Sequence, residues 1–86
     1  MKVVLEEDFS LEIDDRRLDD YELVEALTDV DKGKVSRLTD AVNILLGEEK
    51  PTLFEHIREK KGYVSTEEIK STLMRIIAEL KNGKKY

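Results

Sequence analysis

The sequence predicts a mainly α protein, a small four-helix domain with a short N-terminal β-hairpin. Three observations carry that prediction. Apolar residues recur at three- and four-residue spacing from residue 20 onward, and Gly33, Gly47 and Gly62 divide the recurrence into segments. Near the start, Phe9, Leu11 and Ile13 alternate with Ser10 and Glu12, the period of a half-buried strand. Loops of two to five residues leave no room for a domain boundary within residues 1–86.

Each element has a local reason. Asp14-Asp15 offers a turn after Ile13, so Arg16-Arg17-Leu18 is expected to return as the second strand. Val3, Val4 and Leu5 are expected as an edge strand before the Glu6-Glu7-Asp8 break, giving a β segment over 1–18. Because an isolated hairpin is marginal in water, it must lie on helices. Asp19 and Glu22 resemble a capping box, followed by Tyr21, Leu23, Val24, Leu27 and Val30 as the stripe of a helix over 20–32. A second helix over 35–46 carries Val35, Leu38, Ala41, Val42, Leu45 and Leu46. It is the most apolar segment and is expected at the centre. Pro51 suits the first turn of a helix over 51–61, striped by Leu53, Phe54 and Ile57. Ser65 and Glu68 cap the fourth helix, 66–82, with Ile69, Leu73, Ile76, Ile77 and Leu80 facing inward. Residues 83–86 are expected to form a frayed tail.

Composition excludes more than it identifies. A chain of this length buries only about 60–65% of the surface its unfolded form exposes, so the core must be economical. There is no cysteine, which removes disulfides and thiolate metal ligands. Twenty acidic against fifteen basic residues give a net charge of −5, which argues against a nucleic-acid binder. No apolar run approaches a membrane-spanning length, and the opening residues do not read as a signal peptide, so a cytoplasmic protein with no membrane partner is expected. Charge is also uneven. Residues 1–33 hold twelve acids and four bases, whereas 34–86 hold eight acids and eleven bases. The two parts either shield each other as solvated faces or suit head-to-tail contacts between copies.

No constellation supplies chemistry. Residues 57–68 imitate a calcium loop, with Gly62, Ser65 and Glu68 at its sixth, ninth and twelfth places. Its first, third and fifth places, however, are Ile57, Glu59 and Lys61, and an ammonium cannot stand where calcium needs oxygen. His56 is the only imidazole, has Glu55 and Glu59 nearby, and reads as a surface histidine because zinc would need further His or Cys ligands. Ser36, Ser65 and Ser71 sit in no nucleophile motif, and there is no glycine-rich phosphate loop. Neither an enzyme nor a cofactor is expected. A carrier domain lacks its Asp-Ser-Leu attachment triplet. A helix-turn-helix reader would need a basic recognition helix, and in the fourth helix Lys70, Arg75 and Lys81 are opposed by Glu67, Glu68 and Glu79.

The order of parts resembles a known family. Leu18-Asp19-Asp20-Tyr21-Glu22-Leu23-Val24-Glu25-Ala26-Leu27, then Asp31-Lys32-Gly33, Leu45-Leu46-Gly47-Glu48-Glu49 and Gly62-Tyr63-Val64-Ser65-Thr66-Glu67-Glu68-Ile69 are similar to the small tail assembly chaperones of long-tailed phages and prophages of Gram-positive bacteria. The resemblance spans roughly residues 9–80; Met1–Asp8 has no counterpart in it. It implies a helical, non-enzymatic protein that holds the tape-measure protein before the tail tube polymerises, self-associates, and is often made in two lengths by a frameshift. The alternative class is a small acidic regulatory or adaptor module that binds one folded protein. On helical wheels, Ile44 falls between Arg37 and Asp40, and Met74 lies away from the Ile69–Leu73–Ile76–Leu80 stripe. Both are therefore expected to be exposed and to contribute to protein binding; the alternatives are scattered exposure without a role, or cover of one of them by the Val3–Leu5 strand.

Overall fold

A computed structural model describes residues 1–83. In chain order it contains β1 (Lys2–Glu6), β2 (Phe9–Glu12), α1 (Tyr21–Asp31), α2 (Leu38–Leu46), α3 (Lys50–Lys61) and α4 (Thr66–Gly83). Single 3-10 turns cover Asp15–Asp19, Val35–Arg37 and Gly47–Glu49. The protein is a mainly α domain with an N-terminal hairpin. The expected tail falls outside the described residues, save Gly83 at the end of α4.

The hairpin forms from different strands than the turn chemistry suggested. β1 pairs antiparallel with β2, with Val3 opposite Leu11 and Val4 opposite Ser10, and the chain reverses at Glu7-Asp8. Arg16-Arg17-Leu18 is no strand. The Asp14 carboxylate accepts the Arg16 backbone N–H at 3.0 Å and caps the 3-10 turn over Asp15–Asp19. The aspartate thus initiates a helical turn rather than a hairpin turn, and the β segment ends at Glu12. Val3, Leu5, Leu11 and Ile13 all point inward and are buried, β1 lying against α4. Glu12, paired with Lys2 at the open end of the ladder, donates its N–H to Glu49 Oε2 at 2.7 Å and ties the hairpin to the turn before α3.

The helices follow their apolar stripes, with local shifts. α1 is capped by Asp20, not Asp19: the Asp20 carboxylate accepts the Glu22 N–H at 2.9 Å. Its buried residues are Leu23, Ala26 and Val30, with Leu27 half-buried; Tyr21 and Val24 stand outside at 72% and 47% exposure. Val35 belongs to a 3-10 turn before α2 and is also exposed. α2 places Ala41, Val42, Leu45 and Leu46 in the core. α3 carries Pro51 in its first turn and ends at Gly62 in the left-handed conformation. Ser65 Oγ accepts the Glu68 N–H at 3.3 Å at the start of α4, but the Glu68 carboxylate reaches Lys61 at 3.6 Å instead of returning to the cap. Ile69, Leu73, Ile76, Ile77 and Leu80 complete the core.

The Leu45-Leu46-Gly47 turn has a specific tertiary role. Gly47 has φ +53°, and a Cβ there would collide with the Arg17 guanidinium. Arg17 Nη1 donates to Ile44 O at 2.9 Å, satisfying a carbonyl at the C-terminus of α2 with a cation. The 3-10 turn over Asp15–Asp19 is thereby anchored on α2.

Candidate functional site

Of the two residues expected to bind protein, only Met74 stands largely free. It is 47% exposed midway along α4. Lys70, Ala78 and Lys81, four before, four after and seven after it, share its face and are exposed. Ile44 differs from the expectation. It is half-buried, packs against the core, and is flanked by Asp14, Arg16, Arg17 and Asp20. The helical wheel of α2 placed it on a polar side; the 3-10 turn over Asp15–Asp19 supplies the cover that the wheel does not contain. The Val3–Leu5 strand does not line that site.

A polar cluster joins the hairpin to α3. A bulge between Val4 and Glu6 sets Glu6 opposite Phe9, and both reach His56. The Phe9 and His56 rings stack with centroids 3.7 Å apart and planes 3° from parallel. His56 Nε2 lies 2.9 Å from Glu6 Oε1, and Lys60 Nζ lies 3.3 Å from the same oxygen. Hydrogen bonding from His56, followed by that from Lys60, lowers the Glu6 pKa below its ordinary value. His56 is half-buried rather than a bare surface residue. A cavity of about 140 Å³ beside it is lined also by Ser71 and Arg75 of α4. Along the chain His56 has only Glu55 and Glu59 as acidic neighbours; Glu6 and Phe9 are roughly fifty residues away.

An open apolar groove of about 350 Å³ lies between the start of α2, α3 and the start of α4. Val35, Leu38, Val42, Phe54, Val64 and Ile69 line it. Among the described residues Lys50 is the only charged side chain on its wall, its ammonium 5.4 Å from the Phe54 ring centroid and bonded to Asn43 Oδ1 at 3.0 Å.

No family model, curated protein or solved structure matches the chain. Function must therefore be argued from the surfaces themselves. Among the described residues, no group of three His, Asp or Glu side chains is placed to hold a metal ion. The calcium-like stretch is occupied by the end of α3, the Gly62 stop and the Ser65 cap, with the Lys61 ammonium on Glu68. Among the described residues, no helix is long and apolar enough to cross a membrane. The other ion pairs serve local structure. Arg16 pairs with Asp14 at 2.8 Å and holds its carboxyl down to about 2. Arg37 bridges Asp29 of α1 at 2.9 Å and Asp40 of α2, and its own pKa is raised chiefly by Asp29.

Proposed function

We propose that the protein is a non-enzymatic tail assembly chaperone. In this reading it binds a tape-measure-like client in the cytoplasm of a bacterial host, self-associates, and uses no cofactor, nucleic acid or membrane. The family resemblance of residues 9–80 supplies the client class. The observation that carries a binding role is Met74: a long, adaptable apolar side chain held in solvent on the longest helix, whose core stripe is complete without it. Lys70, Lys81 and Glu67 flank it, so the face suits an amphipathic client helix with charged borders.

The test is co-expression of the protein with overlapping helical segments of a tape-measure protein, followed by affinity capture. Wild type is expected to retain at least one segment, and Met74→Lys to lose it while melting at the same temperature. Retention of no segment by wild type would refute the client. Equal capture by Met74→Lys would refute the surface.

A further inference from the structure

The sequence leaves α1 with a second, outward stripe. Tyr21, Val24 and Thr28 stand three and four residues apart and are all exposed, opposite the Leu23–Ala26–Val30 face that packs on α2. Within α1 that stripe is bordered only by acids, with Lys32 just past its C-terminal end. α1 carries Glu22, Glu25, Asp29 and Asp31 and no basic residue. Asp29 is engaged by Arg37, whereas among the described residues Glu22 and Glu25 make no ion pair. The groove between α2, α3 and α4 has the complementary character. Its wall is mainly apolar, with Ser36, Thr39 and Thr66 at its polar positions; among the described residues its single charge is the Lys50 ammonium, which has no carboxylate partner. Lys34 adjoins it in sequence at Val35 and is likewise unpaired among the described residues.

We propose that the outer stripe of α1 in one copy, led by Tyr21 and Val24, docks in the α2–α3–α4 groove of a second copy. The occupant is a second copy rather than the chain's own α1, because α1 is fixed to α2 by its opposite face. The groove volume suits one aromatic ring and one branched side chain, the payload that Tyr21 and Val24 present. Charge sets the direction: a helix bearing only carboxylates meets a groove bearing only an ammonium, and the charge division at residue 33 repeats the same complementarity over the whole molecule. The stripe and the groove are different surfaces, so each copy offers one of each. This deepens the self-association in the reading above and rests on it for that part alone, not on the client.

Sedimentation velocity of the 86-residue chain from about 10 μM to about 1 mM tests the proposal, a range suited to a small interface. Wild type is expected to sediment faster as concentration rises. Val24→Lys, which damages the stripe, and Val35→Glu, which damages the groove, are each expected to weaken association at least about tenfold. An equimolar mixture of the two is expected to regain it, because one intact stripe and one intact groove remain. Met74→Lys is expected to associate as wild type does, which separates this surface from the client face. If circular dichroism shows Val35→Glu unfolded, Lys50→Glu takes its place. A wild type that stays monomeric, variants that still associate, or a mixture that does not recover would each overturn the proposal. Loss of association in Met74→Lys would overturn it as well.

Discussion

Replacing Ile76 with alanine tests the packing on which the whole domain depends. Ile76 has 0% exposure on α4 and belongs to the single core cluster. The substitution removes three carbon atoms from a site shielded from water. At about 0.8 kcal/mol per buried methylene, the transfer term is about 2.4 kcal/mol. A retained cavity adds up to about 2 kcal/mol at about 24 cal/mol per Å³, less wherever the neighbours relax inward. The expected loss is therefore about 2.5–4 kcal/mol. A domain of this size holds on the order of 4–13 kcal/mol in all. Each kilocalorie corresponds to about 4–8 °C in melting temperature, so Ile76→Ala is expected to melt at least about 10 °C lower. Urea unfolding followed by circular dichroism measures the loss directly, with an unchanged slope as the sign that the folded state is intact. Met74→Ala, two residues away and 47% exposed, is the control and is expected within about 0.5 kcal/mol of wild type. A loss under about 1 kcal/mol for Ile76→Ala, or equal losses for both variants, would refute the assigned phase of α4.

Three further substitutions probe contacts between elements. Gly47→Ala is expected to cost about 1–3 kcal/mol, from positive φ and from displacement of Arg17, and to cost less in an Arg17→Ala background; denaturation of the four proteins of that cycle gives the coupling. Ile44→Lys is expected to destabilise by about 1–3 kcal/mol in a urea melt, because it removes an apolar side chain packed against the core and places an ammonium in a half-covered site. For Glu6, a folded pKa below the ordinary 4.5 means that the carboxylate contributes stability above about pH 4.5 and loses it as pH falls through the folded value. Wild type is thus expected to melt above Glu6→Gln at pH 6 and alongside it at pH 2.5; a difference that survives acid would show that the charge is not responsible.

The helices were legible because their packing is written at short range. Caps, glycine stops and three-to-four spacing place α2, α3 and α4 within a few residues of the expected bounds, and Ser65 caps α4 as expected. The errors arise where a side chain serves a distant element or a small one was discounted. In α1, Leu23, Ala26 and Val30 fall within about 60° of one another on a helical wheel, whereas Tyr21 lies about 140° or more from each of them. Counting Ala26 as core would have separated Tyr21 and Val24 as a second face. Asp14-Asp15 fits a hairpin turn as well as a 3-10 cap, and only the pairing of Val3 with Leu11 decides between them. Ile44 is covered by a turn some thirty residues earlier, which no wheel of α2 contains. The partners of His56 depend on a bulge that has no local signature in β1.

The exposed apolar residues differ in what their placement implies. Single exposed hydrophobics are ordinary on any small protein, and Tyr63, after the Gly62 stop, needs no further explanation. Tyr21 and Val24 are another matter, because they form one stripe on a helix whose charges have a single sign. Val35 borders a groove whose only charge, among the described residues, has the opposite sign. A chain so limited in core-forming residues gains little from two apolar side chains of α1 left in water, whereas their burial on a surface elsewhere is favourable. The groove offers such a surface, and among the described residues none of the same copy fills it. Its low volume limits the contact to a few side chains, so the proposed association is weak and reversible.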